Sequence, residues 1–189
     1  MKKIVFLLII FALSLAGCST TKIEHTTSPV YVTNTKVMYL LPLENMEGEI
    51  DSYQLLNGRF GDSKFTLLCY MICNSREISI DLLNDFGTDM GNLQYDGSSV
   101  NFTSAVFPEN LKAEYILLDI QNAYYQVGAL QEAYKAAGLN FEEEIQGETV
   151  IRKIKNGKKI IELITKNGNS VKIQNNLRGY EYNLTEGEE

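Results

Sequence analysis

Alternating hydrophobic and polar positions predict that most of this chain forms antiparallel β-strands. Tight hairpins require residues that tolerate positive φ angles, and Asn-Gly and Asp-Gly dipeptides supply them. The predicted strands are 29–32, 37–41, 50–56, 64–74, 76–83, 89–95 and 98–103, and later 149–155, 158–166, 170–175 and 180–184. The dipeptides that mark turns between them are Asn57-Gly58, Asp96-Gly97, Asn156-Gly157 and Asn167-Gly168.

The hydrophobic period changes in the middle of the chain. Apolar residues at helical spacing predict one helix over 111–125 and a second over 129–137, which Gly138 ends. The order of strands, two helices and strands predicts an α+β fold. We expect a curved antiparallel sheet with the two-helix insert covering one face.

The N-terminus has the pattern of an export signal. Lys2 and Lys3 precede an almost unbroken apolar run over 4–15, and Leu15-Ala16-Gly17-Cys18 follows. The last tetrapeptide resembles the bacterial lipobox, which implies cleavage before Cys18 and attachment of diacylglycerol and an acyl chain such as palmitate. The alternative is an ordinary secretory signal with a chance cysteine. Several acyl chains at one site anchor a protein stably, and Ser19 favours the periplasmic face of the outer membrane.

These features divide the chain into four parts. We expect a signal peptide at 1–17, a lipidated polar tether at 18–29, one α+β domain at 30–185 and an acidic tail at 186–189. The net charge of −7 argues against binding to nucleic acid, because phosphate backbones repel an acidic domain.

Cys69 and Cys73 are predicted to be buried thiols. Four residues apart on one strand, they lie roughly 13 Å from each other, so a disulfide is the less favoured alternative. Their strand, 64–74, is apolar at every position from Leu67 to Cys73, which predicts that both of its faces are covered. The only histidine is His25, in the tether, so neither a metal site nor a cofactor is expected.

Catalysis is not predicted. Without a histidine in the domain, general base chemistry would fall to carboxylates, and Asp81, Asp85 and Asp89 are the candidates. We expect them to be solvated turn residues; a calcium site and catalytic carboxylates are the alternatives.

A basic cluster surrounds the Asn156-Gly157 turn. Its members are Arg152, Lys153, Lys155, Lys158 and Lys159. An exposed hairpin protected by lysines is the favoured interpretation, and contact of the hairpin tip with anionic lipid head groups is the alternative.

Three stretches carry a resemblance to a known family. They are Asn84-Asp85-Phe86-Gly87 leading to Asp96-Gly97, Phe107-Pro108 with residues 116–121, and residues 173–180. In this order they resemble a family of small bacterial outer-membrane lipoproteins of unknown function, often encoded beside aryl-polyene and fatty-acid-synthesis-like gene clusters. The resemblance implies a fold like that of the LolA and LolB lipoprotein carriers, an unclosed half-barrel around an apolar cavity.

Two functions follow as expectations. The first is an anchored periplasmic lipoprotein that binds or accepts an acyl or polyene lipid, with a periplasmic carrier protein as a possible partner. The candidates for the cavity wall are Leu67, Cys69, Met71, Tyr115 and Tyr124. The alternative is an anchored structural or protein-interaction lipoprotein without a small-molecule ligand. A large apolar cavity favours the first, and a filled core favours the second.

Overall fold

A single ten-stranded antiparallel sheet, curved and unclosed, dominates the fold. The computed structural model describes residues 29–107 and 111–187. In spatial order the strands run β7-β6-β5-β4-β3-β12-β11-β10-β9-β8. Their bounds are β3 Ile50–Phe60, β4 Ser63–Cys73, β5 Ile78–Leu83, β6 Asp89–Tyr95, β7 Val100–Ser104, β8 Asn140–Gln146, β9 Thr149–Asn156, β10 Lys159–Asn167, β11 Ser170–Asn175 and β12 Tyr180–Glu186.

A short ribbon and two helices complete the described fold. Strands β1 (Val30–Tyr31) and β2 (Val37–Met38) pair with each other, and a 3₁₀ turn follows at Leu43–Asn45. Helices α1 (Ala113–Tyr124) and α2 (Val127–Ala136) connect the two halves of the sheet. Helix α1 contacts β7 as well as β10 and β11, which lie far apart in the strand order. The sheet must therefore curve around α1, which confirms an α+β fold with an unclosed curved sheet.

The hydrophobic core lies between the inner face of the sheet and α1. Its fully buried members include Met71 and Ile78 from the first half of the sheet, and Ile154 and Ile164 from the second. Leu117 and Ile120 of α1 are buried between them. Each strand contributes alternate residues to this core, as expected for a sheet with one covered face.

One face of β4 is covered within the described structure, and the second face, predicted to meet a bilayer, a partner or an acyl chain, is open. Leu67, Cys69, Met71 and Cys73 are buried on the inner face, but Leu68 on the outer face is 39% exposed. The exposed side chains of Tyr53 and Leu55 on β3 lie on the same outer face as Leu68. The Tyr53 and Tyr70 rings stack there, with centroids 4.6 Å apart. The outer face of β3 and β4 is therefore apolar and open to solvent in the described structure.

The predicted turn at Asn57-Gly58 is also wrong. Strand β3 continues to Phe60, and the chain turns at Gly61 and Asp62 instead. Gly58 is paired with Phe65 of β4, whose ring lies across the glycine: a Cβ at Gly58 would be 2.0 Å from the Phe65 Cζ atom. Glycine is present here because the aromatic ring occupies the space of a side chain.

The other three turn signals mark real hairpins. Asn156-Gly157 and Asn167-Gly168 connect β9 to β10 and β10 to β11, with positive φ at both glycines. The hairpin at Asp96 has a four-residue loop rather than two residues. Its Asp96 carboxylate accepts hydrogen bonds from the Ser98 and Ser99 backbone N–H groups at 2.9 and 2.8 Å. The side-chain bonds therefore favour the longer loop.

The predicted signal peptide 1–17, Cys18 and the tether up to residue 28 lie outside the described residues, as do residues 188 and 189. Of the acidic tail, Glu186 is the last residue of β12. No helix in the described ranges is long and apolar enough to cross a membrane.

Candidate functional site

An apolar cavity lies between α1 and the first half of the sheet. Its volume is about 40 Å³, and the atoms exposed in it are apolar, although Asn92, Asp119 and Tyr182 are among the residues that line it. The inner faces of β4, β5 and β6 form its floor, with Met71, Ile80 and Leu93 among the residues there. Ile116 and Ile120, one helical turn apart on α1, form its roof.

Aromatic rings surround the cavity where its wall is half exposed. Phe60 and Phe65 flank the β3–β4 turn, and Phe107 packs edge-on against both rings, with centroid distances of 5.5 Å. Phe102 of β7 stacks on Phe107 at 6.3 Å. All four side chains are half-buried, whereas those deeper in the cavity are buried. We call this ring of phenylalanines the aromatic mouth.

The five residues predicted for a cavity wall are not all brought together. Cys69 and Met71 line the cavity. Leu67 and Tyr124 are buried but are not part of its wall, and Tyr115 lies on the other side of α1 beside Arg178. Burial raises the pKa of the Cys69 and Cys73 thiols to about 12. Both cysteines are free, so as predicted they are buried thiols that pack like small hydrophobic residues.

A buried pair of carboxyl groups lies behind the cavity, where α1 meets β10 and β12. Asp119 Oδ2 accepts hydrogen bonds from the Tyr180 and Tyr182 hydroxyls at 2.7 and 3.1 Å. Glu162 Oε1 accepts a bond of 2.9 Å from the Asn122 amide. The Asp119 and Glu162 carboxyl groups lie close enough for each to perturb the pKa of the other. Two buried carboxyl groups this close do not both ionise readily, because like charges repel in a site without water.

Burial raises the pKa values of both carboxyl groups. Desolvation raises the pKa of Asp119 to about 7, against the opposing effect of the bonds from Tyr180 and Tyr182 and the nearby charge of Arg178. Desolvation and the neighbouring Asp119 charge raise the pKa of Glu162 well above its usual value. At neutral pH, Glu162 is therefore the member of the pair that holds a proton.

The buried polar side chains around Asp119 and Glu162 all have hydrogen-bond partners. The Tyr134 hydroxyl of α2 donates to the Asn122 Oδ1 atom at 2.8 Å, and the Asn175 amide lies 3.4 Å from Glu162 Oε2. No buried polar side-chain atom in the described ranges lacks a hydrogen-bond partner. The network therefore joins α1, α2, β10, β11 and β12 as a structural unit.

Arg152 is buried, which corrects its predicted place in an exposed basic hairpin. Its guanidinium is surrounded by the end of α1: Nη1 donates to the carbonyl oxygens of Asn122, Ala123 and Tyr125, each at 3.0 Å. Its Nε donates to Glu143 Oε2 at 2.7 Å. A cation at the carbonyl end of a helix is favoured by the helix dipole, so Arg152 stabilises the C-terminus of α1.

Asp81, Asp85 and Asp89 do not converge. Asp81 is half-buried on β5, Asp85 is exposed in the β5–β6 turn, and Asp89 accepts a 2.8 Å bond from the Gly91 backbone N–H. Within the described ranges, no group of three or more histidine, cysteine or acidic side chains has a metal-binding arrangement. These aspartates are turn and strand residues.

The sequence of this domain matches a known protein family. Residues 51–187, which include β3 to β12 and both helices, match the family described as "Protein of unknown function (DUF3261)". The chain belongs to this family. No curated protein matches the chain significantly. The match to DUF3261 agrees with the expected family of unknown function and assigns no activity to the cavity or to the carboxyl pair.

Proposed function

We propose that this DUF3261 protein is an outer-membrane-anchored periplasmic lipoprotein that binds or accepts an acyl or polyene lipid in the apolar cavity. The observation that carries the proposal is the apolar cavity between α1 and a sheet that does not close. A hydrocarbon chain has no polar groups to satisfy, so it suits a cavity of this kind. The lipobox-like sequence ending at Cys18 supports the anchor.

The size of the cavity sets a condition on binding. A volume of about 40 Å³ is far below the roughly 300–1,000 Å³ of pockets that enclose a small molecule. An acyl chain therefore requires the cavity to widen. The aromatic mouth is the part of the wall with most room for movement, since Phe60, Phe65, Phe102 and Phe107 are half exposed.

The likeness to LolA and LolB, proposed from the sequence motifs, supports the same function. In that arrangement an unclosed half-barrel receives acyl chains, and a periplasmic carrier protein delivers them. The strand order of the described fold and its covering helices are compatible with such an arrangement. The proposal is one of binding and transfer, with no catalytic step and no cofactor.

Mass spectrometry of organic extracts tests the proposal. The protein is purified from its own membranes and as a Cys18→Ala variant, and each is extracted and compared with a blank. We expect a co-purifying acyl or polyene lipid with the variant, which has no covalent lipid. Absence of such a lipid, together with no binding of a fluorescent fatty acid by the parent protein, contradicts the proposal.

A matched pair of variants links binding to the cavity. Ile80→Phe on β5 fills the cavity, so it is expected to weaken binding of the fluorescent fatty acid about tenfold or more. Ile164→Phe on β10 adds the same group at a fully buried position outside the cavity wall. It is expected to lower the free energy of unfolding by about 1–3 kcal/mol and to leave binding by the folded protein unchanged. Equal effects of the two variants on binding contradict the assignment of the cavity.

The outer face of β3 and β4 favours a second candidate, an anchored protein-interaction lipoprotein. Exposed Tyr53, Leu55 and Leu68 form an apolar surface there. If no lipid is found, loss of a cross-linked membrane partner in a Leu55→Lys variant with an unchanged melting temperature supports this candidate.

A further inference from the structure

Three lysines meet at one end of the sheet. Lys36, in the β1–β2 loop, donates to the Asn156 Oδ1 atom at 3.0 Å and to the carbonyl oxygen of Gly138. Asn156 begins the β9–β10 turn, which Lys158 and Lys159 continue. None of the three lysines forms an ion pair with another residue of the described ranges. We call Lys36, Lys158 and Lys159 the basic rim.

The aromatic mouth lies at the same end. Because the strands of the sheet alternate in direction, the β9–β10, β11–β12 and β3–β4 turns all lie at one end of it. Phe60 and Phe65 flank the last of these turns, and Phe60 is paired with Tyr180 at the start of β12. Phe86, which is 92% exposed, is in the β5–β6 turn at this end as well.

The chain also enters the domain at this end. The Arg178 guanidinium, in the β11–β12 turn, donates to the carbonyl oxygen of Tyr31 in β1. Only ten residues separate Cys18 from the first described residue, Pro29. Such a segment reaches at most about 40 Å when fully extended. An anchor at Cys18 therefore keeps this end of the domain within reach of the bilayer surface.

We infer that the basic rim docks on the anionic head groups of the leaflet that holds the Cys18 anchor, so that the aromatic mouth opens toward the bilayer. This inference rests on the anchored-lipoprotein part of the proposed function. The protein has a net charge of −7, so an anionic surface repels most of it and attracts only a local excess of cations. Asp62 and Asp85 occupy the turns of the other half, which weakens the attraction there.

Labelling of lysines in the anchored protein tests this orientation. The lipidated full-length protein is reconstituted into vesicles of phosphatidylcholine alone or with added phosphatidylglycerol. It is treated briefly with an amine-reactive reagent, and modification at each lysine is measured by mass spectrometry. We expect Lys158 and Lys159 to react about fivefold more slowly in the anionic vesicles, which corresponds to about 1 kcal/mol for each lysine near the surface. Lys172, on the outer face near the middle of the sheet, is the internal reference.

A matched pair of variants checks the cause of the protection. Lys158→Gln with Lys159→Gln is expected to remove the protection of Lys36. Arg76→Gln removes a positive charge away from the basic rim, keeps Lys172 as the reference, and is expected to leave that protection intact. High salt is expected to abolish the protection, because it screens exposed charges.

The outcomes separate this inference from the function it rests on. A chain without lipid at Cys18 overturns both the anchor and this orientation. An anchored chain whose lysines all react equally in the two kinds of vesicle overturns the orientation alone. Protection of the basic rim that does not depend on phosphatidylglycerol also overturns it, because the contact is then with protein rather than with anionic lipid.

Discussion

The buried pair of Asp119 and Glu162 predicts an unusual dependence of stability on pH. Both pKa values are higher in the folded protein than in the unfolded chain, where the carboxyl groups titrate near 3.8 and 4.5. Above those values the folded protein holds a proton that the unfolded chain has released. Stability from this pair is therefore fully present at low pH and is lost as the pH rises.

The magnitude follows from proton linkage. One proton retained on folding changes the free energy of unfolding by about 1.4 kcal/mol for each pH unit. From about pH 5 to about pH 7, Asp119, with a pKa of about 7, retains a proton that the unfolded chain has released, and this accounts for about 3 kcal/mol. The raised pKa of Glu162 changes stability in the same direction.

Other groups contribute little to the pH dependence of stability between about pH 5 and pH 8. The pKa values of Glu144 and Glu181 are lowered by hydrogen bonds from Lys153 and Gln174, respectively, so their contribution is lost only as the pH falls through the normal carboxylate range. His25 is the only histidine, and it lies outside the described residues. A decrease in stability between about pH 5 and pH 8 is therefore attributable to the buried pair.

Urea unfolding at a series of pH values measures the effect. A Glu162→Gln variant keeps an oxygen that accepts from Asn122, but the amide binds no proton. We expect its stability to fall less steeply with pH than that of the parent, because only Asp119 of the pair still titrates, and to exceed that of the parent at about pH 8. Glu144→Gln, at an exposed carboxylate, is the control and should keep the slope of the parent. A parent protein with constant stability over this range, or a Glu162→Gln variant with the slope of the parent, refutes the reasoning.

Three further predictions concern the anchor, a buried charge and a glycine. Cys18→Ala is expected to abolish membrane association, measured by fractionation; a variant that remains in the outer-membrane fraction contradicts the lipid anchor. Arg152→Met leaves the carbonyl oxygens of Asn122, Ala123 and Tyr125 without their donor, so we expect a loss of about 3 kcal/mol in urea unfolding, and a loss below about 1 kcal/mol contradicts the role of this cation. Gly58→Ala should lower the melting temperature through its clash with the Phe65 ring, and a second change, Phe65→Ala, should recover part of the loss; absence of recovery contradicts the pairing.

The strands and most hairpins were predictable because their signals are local. Alternation over six to eight residues decides which side chains face the core, and Asn-Gly at 156–157 and 167–168 supplies the turn. Asn57-Gly58 carries the same signal, yet β3 continues through it. The deciding contact is the ring of Phe65 on the neighbouring strand, and no local pattern identifies that contact.

The carboxyl pair could not be predicted from the helical period. Apolar spacing correctly shows that Ile116 and Ile120 share a face of α1, and it leaves Asp119 and Asn122 on the remaining surface. That surface normally faces water. Here it is buried, because the curved sheet covers α1 from two sides. The partner of Asp119 is Glu162 on β10, which is distant along the chain, so no local pattern shows that Asp119 is one of a pair.

Strand β8 was missed for a related reason. Glu142, Glu143 and Glu144 interrupt any alternation, and alone they predict a solvated segment. In the structure β8 pairs with the most basic strand of the sheet, and Glu143 and Glu144 bind Arg152 and Lys153 at 2.7 and 2.8 Å. Complementary charge on the neighbouring strand compensates for the weak local preference.

Helix α1 connects the cavity to the carboxyl pair. Ile116 and Ile120 line the cavity, while Asp119 on the same turns holds the hydroxyls of Tyr180 and Tyr182. If the cavity widens by a displacement of α1 as well as at the aromatic mouth, the displacement stretches these bonds and brings water to the carboxyl groups. Hydration lowers the pKa of a carboxyl group, so the proton held at neutral pH would be released as the helix moves. We therefore predict that fatty-acid binding depends on pH, because high pH would favour the open form and low pH the closed one.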